Sequence, residues 1–343
     1  MMTQAAKTRV MTGIAPDKIP YAELLASQQP AILKGVALDW PLVQAGQKSA
    51  QAAIDYIKSF YQGHPAIALI GPPDIAGRFF YNADVSGFNF ASERGPLDGF
   101  LDRIQATLTD ANPDSIYVGS ANLATHLPGL REHNDLALND PMFAASPPLT
   151  SIWIGNRTTA SCHYDLSNNM AICVTGHRRF TLFPPDQGRN LYPGPLEPTP
   201  GGQVVSMVDF NTPDYARHPR FAEALAHAQV AELEPGDMLI YPAMWWHHVE
   251  ALDPFNILIN YWWNLVPVYF DSPQNTLLHA LLSLRDRPEN EKAAWRDLFD
   301  YYVFGPSETA GAHLPEAARG PLGPMDEANA RRLRATLLNR LNR

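Results

Sequence analysis

Short blocks of β-branched and aromatic residues, separated by turn signals, fill the chain from residue 121 to about residue 268. SIWIG, NMAICVTGHRRFTLF and VAELEPGDMLIYPAMWWHHVEAL are the clearest of them, and each reads as one or two strands. Glu234-Pro235-Gly236-Asp237 supplies a tight turn that reverses the chain. Pro242 stops a strand from donating to its ladder, which suits a corner where a sheet bends away. Strands at this spacing fit a double-sheet jelly roll, whose interior can house a metal. The long Pro- and Gly-rich insert from Asp186 to His227 exceeds any simple hairpin, so it is either a functional lid or an ordered structural loop.

The flanks have a different rhythm. Within residues 1–120, QAAIDYIKSFY places Ala53, Ile54, Ile57, Phe60 and Tyr61 on one helical face. AIALIG and RFFYN look like strands around the Gly71-Pro72-Pro73 turn, and PLDGFLDRIQATL like a second helix. This mixed α/β zone is expected to extend one sheet of the barrel rather than fold alone. Residues 269–343 switch to helical periodicity through Leu277, Leu278, Leu281 and Leu282, then Trp295, Leu298, Phe299 and Tyr302. In the last helix Leu333, Leu337 and Leu341 recur at four-residue spacing, with cations gathered toward its C-terminal end as the helix dipole favours. Apolar helices added to a complete barrel need a surface to cover, so a homodimer interface is expected, capping of the barrel being the plainer alternative. The expected architecture is mainly β with flanking helices. Its parts are an N-terminal extension (1–120), a double-stranded β-helix or jelly-roll core (121–268) and a C-terminal helical bundle (269–343).

Composition narrows the partners. With 45% apolar and 18% charged residues, the 343-residue chain can bury a sizeable core. A net charge of -9 argues against nucleic acid, because phosphate binding needs concentrated Lys and Arg. Cys162 and Cys173 both fall in strand segments and read as buried thiols rather than a disulfide framework. No run of apolar residues approaches membrane length, and the N-terminal stretch MMTQAAKTRVMTGIAPDK lacks a continuous apolar segment. The cytoplasm is the expected compartment.

The chemistry concentrates in two motifs. His163-Tyr164-Asp165 offers two ligands one residue apart, and strand alternation points both the same way. Far downstream, Trp245-Trp246-His247-His248 offers a third imidazole; one of the pair should face inward and the other outward, and spacing does not choose between them. Two histidines and a carboxylate on one triangular face, with the opposite face open, form the ligand set of non-haem Fe(II) oxygenases. His-x-Asp alone is a weak signal. His133-Asn134-Asp135 repeats it inside LPGLREHNDLALNDP, whose Gly, Pro and Asn punctuation reads as loop or short helix. The copy at 163 lies between strand-like segments and is the preferred metal site. Cys162 alternates to the opposite face and is expected to be packing.

From Leu149 to Pro267 the text resembles the JmjC-type, cupin-like Fe(II) and 2-oxoglutarate-dependent oxygenases. It is most similar to the asparaginyl hydroxylase that modifies hypoxia-inducible factor and to its bacterial relatives. The resemblance rests on CHYDLSNNMAICVTGHRRFTLFPPDQGRNLYPGP, VDFNTPDYARHPRF, PGDMLIYPAMWWHHVEAL and NILINYWWN. It implies His163, Asp165 and His247 as the ligands of Fe(II), with His248 a structural neighbour. It further implies 2-oxoglutarate as co-substrate, its distal carboxylate held by Arg178, where the family carries lysine, and by Tyr117. An arginine offers a bidentate fork in place of a point charge. Asn169 and Asn260 match asparagines near the co-substrate. Where the family often has a threonine three residues before the first ligand this chain has Ala160, and Thr159 stands one position off. The implied reaction hydroxylates a protein side chain or small molecule, with succinate and carbon dioxide as co-products. The alternatives are a metal-binding cupin oxidase or isomerase without 2-oxoglutarate, and a non-catalytic cupin-fold binding protein.

Overall fold

A computed structural model describes residues 5–342 of the protein. Eight strands form its centre: β1 (Leu149–Gly155), β2 (Thr159–Tyr164), β3 (Asn168–Thr175), β4 (Arg178–Phe183), β5 (Gln229–Leu233), β6 (Met238–Tyr241), β7 (Trp246–Ala251) and β8 (Asn256–Trp263). They divide between two sheets. One runs β5-β4-β7-β2, with Ala6–Lys7 added beside β5 and Arg78–Phe79 beside β2. The other runs β6-β3-β8-β1 and continues through Ser115–Asn122, Pro65–Gly71 and Ala91–Pro96 on one side, Ala31–Leu33 and Arg9–Met11 on the other. All pairings among the eight central strands are antiparallel.

The N-terminal zone thus extends both sheets, not one. RFFYN gives only the two-residue strand Arg78–Phe79, after which Tyr81 makes an isolated bridge to Phe88. The turn at Glu234–Asp237 is not a hairpin either, because β5 and β6 belong to different sheets. Gly236 adopts φ +95°, which a side chain would strain, and Asp237 closes the corner by accepting the Glu234 N–H at 2.8 Å. Pro242 follows β6, and the chain then crosses back to the other sheet at β7, the corner expected of it.

Alternation along the strands sorts side chains into three apolar layers. Met170, Ile172, Met238, Ile240, Ile257 and Ile259 pack on the outer face of the larger sheet against Leu42, Val43, Ile54, Ile57 and Leu101. These come from helices Pro41–Lys48, Ala50–Lys58 and Leu97–Ala106. In the second of these Ser49 caps by accepting the Ala52 N–H, Ala53, Ile54 and Ile57 are buried, and Phe60 and Tyr61 lie beyond its end. Between the sheets lie Ala171, Cys173, Phe180, Leu182, Leu239, Tyr241 and Val249. Outside the smaller sheet, the 186–227 insert packs Leu191, Val204, Val208, Phe210 and Phe221 onto Cys162, Phe183 and Trp246. Both cysteines are buried free thiols.

Residues 265–343 form a second compact unit. It contains helices Pro273–Ser283 and Glu289–Phe299, the latter running on as a wide π turn, and helix Glu327–Leu341; none of their residues is buried. No helix among the described residues is long and apolar enough to cross a membrane.

Candidate metal centre

The cavity between the sheets has a volume of about 410 Å³, and His163, Asp165 and His247 stand together on its wall. Their potential ligand atoms all lie within 4.8 Å of one another. His163 and His247 are directly opposite on β2 and β7, with ring centroids 4.2 Å apart. Each imidazole is tied by Nδ1 to the carbonyl two residues back on its own strand, His163 to Ser161 at 2.8 Å and His247 to Trp245 at 3.0 Å. Donation from Nδ1 fixes the tautomer that leaves Nε2 free as a lone-pair donor. Asp165 sits just past the end of β2; its Oδ2 accepts from Asn169 Nδ2 at 2.8 Å and lies 3.5 Å from His247 Nε2. Burial, then the neighbouring His163, push His247 down to about 4 despite Asp165, so the ring is neutral at ordinary pH and able to ligate.

The imidazole pair is sorted by the sheet. His248 turns to the outer face, where the insert rather than water covers it: its ring stacks on Phe210 at 4.4 Å and neither ring nitrogen has a hydrogen-bond partner. Burial, then Arg78, lower it to about 3. The repeated motif has an unrelated role. Asn134 is fully buried, its Oδ1 accepting the Leu42 N–H at 2.8 Å and its Nδ2 donating to Tyr56 Oη and to the Leu130 carbonyl. Asp135 pairs with Arg131 and accepts from the Tyr261 hydroxyl at 2.7 Å, while His133 is exposed.

A family model described as a cupin-like domain (Cupin_8) matches residues 16–268. The chain belongs to this family. Over 149 residues it is 33% identical to human HSPB1-associated protein 1, which covers 42% of this chain and 30% of that protein. Over 129 residues it is 30% identical to lysine-specific demethylase JMJ31 of Arabidopsis thaliana, 37% of this chain and 23% of the other. Over 126 residues it is 31% identical to tRNA wybutosine-synthesizing protein 5 of Danio rerio, 37% and 33%. The chain therefore spans 33% or less of the length of these curated relatives.

Within the cupin-like domain the remaining sequence-derived residues separate. Arg178, Tyr117, Asn169 and Asn260 all line the cavity of the triad. Arg178 is 2% exposed, yet its Nε and Nη2 have no hydrogen-bond partner, and no carboxylate among the described residues pairs with it. Tyr117 lies close enough for Arg178 to offset part of the rise that burial imposes on its phenol. Asn169 grips the triad carboxylate itself and leaves its Oδ1 unpartnered. Asn260 accepts from Trp153 Nε1 at 2.7 Å.

Thr159 is the exception, since the cavity wall does not include it. His247 pairs with His163 but Val249 pairs with Ala160, so Ser161 and Cys162 together oppose one residue, a β-bulge. Regular alternation would have put Thr159 on the side of His163. The bulge reverses the parity, turning Ala160 into the cavity and Cys162 under the insert.

The insert is at once a packed layer and a wall. Its Pro200, Gly201, Gln203 and Val205 border the cavity, and Val205 bridges to His163. Sequence reasoning passed over Gln203, Trp153 and Tyr241. Tyr241 had a readable signal, since it alternates with Leu239 on the inner face of β6.

Proposed function

We propose that this cupin-like protein is an Fe(II)- and 2-oxoglutarate-dependent dioxygenase, built on a double-stranded β-helix, that hydroxylates a protein side chain or a small molecule. The observation that carries the reading is Arg178. A guanidinium buried with unpartnered nitrogens is costly unless an anion completes it. The same cavity presents the His163, Asp165 and His247 cluster. A metal-binding anion with a second carboxylate satisfies both ends at once, and 2-oxoglutarate is such an anion.

His163 Nε2, His247 Nε2 and an Asp165 oxygen would hold the metal, a ligand set suited to Fe(II). Bound there with 2-oxoglutarate, Fe(II) supplies dioxygen activation coupled to oxidative decarboxylation, yielding succinate, carbon dioxide and a hydroxylated product. The protein positions the partners. Asn169 fixes the Asp165 carboxylate, while the Ser161 and Trp245 carbonyls hold the two imidazoles in the ligating tautomer. Arg178 and Tyr117 orient the distal carboxylate, and the apolar wall of Leu69, Phe79, Trp153 and Leu258 excludes water.

The C-terminal helices expose Leu277, Leu278, Leu282, Trp295 and Leu298, an apolar surface suited to a second copy of the chain. With a net charge of -9, the substrate is assigned to proteins or small molecules, in the cytoplasm, and not to nucleic acid.

The test is an anaerobic titration of 2-oxoglutarate into the Fe(II)-loaded protein, followed by visible absorption. A saturable charge-transfer band is expected, absent in His247→Ala, weakened in Arg178→Ala and kept in Asp135→Ala. Bound iron without a band in the wild type overturns the 2-oxoglutarate reading.

A further inference from the structure

Tyr241 is nearly fully buried on the wall of the same cavity, yet neither the metal cluster nor the Arg178–Tyr117 pair explains it. Strand alternation on β6 sends Met238 and Ile240 outward and Leu239 and Tyr241 between the sheets. Opposite Tyr241 on β3 stands Asn169, the partner of the triad carboxylate; two residues further along that strand, Ala171 presents only a methyl group to the cavity. The small residue leaves room for the phenol on the diagonal. The Tyr241 ring lies 4.9 Å from the His247 ring on one side and 6.3 Å from the Phe180 ring on the other, and Phe180 is two residues from Arg178 on β4. Tyr241 thus shares one cavity wall with the His163, Asp165 and His247 cluster and with Arg178. A phenol carries an O–H donor, and no hydrogen bond links the Tyr241 hydroxyl to another of the described residues.

We infer that Tyr241 is a specificity-determining residue for the co-substrate: its hydroxyl is a third donor, beside Arg178 and Tyr117, to the distal carboxylate of the dicarboxylate. This rests on the 2-oxoglutarate reading above. Three donors on the wall of one cavity discriminate strongly, because a ligand lacking the distal carboxylate leaves all three unanswered. Tyr241 touches no reacting atom in this account, so it governs affinity and choice of 2-oxo acid rather than turnover.

The experiment is calorimetric titration of the full chain loaded with Mn(II), a metal that allows the complex to be weighed without turnover. Wild type and Tyr241→Phe are each titrated with 2-oxoglutarate and with 2-oxopentanoate, the analogue of the same length without the distal carboxylate. Tyr241→Phe keeps the ring and its packing, and an unchanged melting temperature and Mn(II) stoichiometry establish that the variant is folded. The expected result is a loss of about tenfold to a hundredfold for 2-oxoglutarate, the worth of one hydrogen bond to a charged group. Binding of 2-oxopentanoate stays the same, and KM for 2-oxoglutarate rises with kcat retained. Equal losses for both ligands, or no loss for either, overturn the inference while leaving the 2-oxoglutarate reading intact. Failure of the wild type to bind 2-oxoglutarate at all overturns the reading on which it rests.

Discussion

Two copies of His-x-Asp occur 30 positions apart in this chain, and the fold gives them opposite uses. At His163-Tyr164-Asp165 the outer residues meet in a cavity and the middle one packs against Trp246 on the far side. At His133-Asn134-Asp135 the middle residue is the important one: Asn134 is fully buried and holds a helix N–H, a tyrosine hydroxyl and a carbonyl together, while His133 faces solvent. The difference is backbone conformation. A strand places residues i and i+2 on one face, whereas a loop following a short 3-10 turn has no such rule. A motif is chemistry only when its backbone aims it.

The comparison can be broken by substitution. The largest effect is expected from His163→Ala, which should remove stoichiometric Fe(II) binding, weakening it beyond about a hundredfold, with turnover lost and the melting temperature nearly kept. Retained metal in this variant, measured by elemental analysis after desalting, would sink the assignment of the site. Next comes Asn134→Ala, which strands the Leu42 N–H and the Tyr56 hydroxyl and should cost about 2–3 kcal/mol in urea unfolding. Its metal affinity should equal that of the wild type, and a loss there would mean the two motifs are coupled. Smallest is Asn169→Ala, which frees the Asp165 carboxylate without removing a ligand. About a tenfold loss of metal affinity is expected, with stability changed little. An unchanged dissociation constant would relegate Asn169 to packing.

Much of the site is legible in the sequence. The strands around His163 and His247 announce themselves through β-branched and aromatic runs, the His-x-Asp spacing pairs His163 with Asp165, and the resemblance picks His247 over His248. Arg178 and Tyr117 were indicated by resemblance and stand on the cavity wall. Thr159, taken up because Ala160 stands where the family has threonine, lies outside the cavity wall, since one extra residue in a strand inverts every facing beyond it. RFFYN keeps only two residues in a strand, since its later aromatics serve a loop that packs ring on ring, as Phe80 and Tyr81 do with each other and Tyr81 with Phe88. The insert could not be classed as lid or layer because both roles draw on the same Pro, Gly and aromatic composition.

What the sequence by itself determined is local: strand periods, the turn chemistry of Gly236, and the ligand types and their spacing. Those properties depend on neighbours a few bonds away. Only the tertiary structure decided which of His247 and His248 enters the cavity, that both sheets and not one receive the N-terminal strands, and that Tyr241 completes the wall opposite Asn169. These depend on register between strands separated by tens of residues. Register is set by the summed burial of whole faces, a quantity that no single stretch of the chain contains.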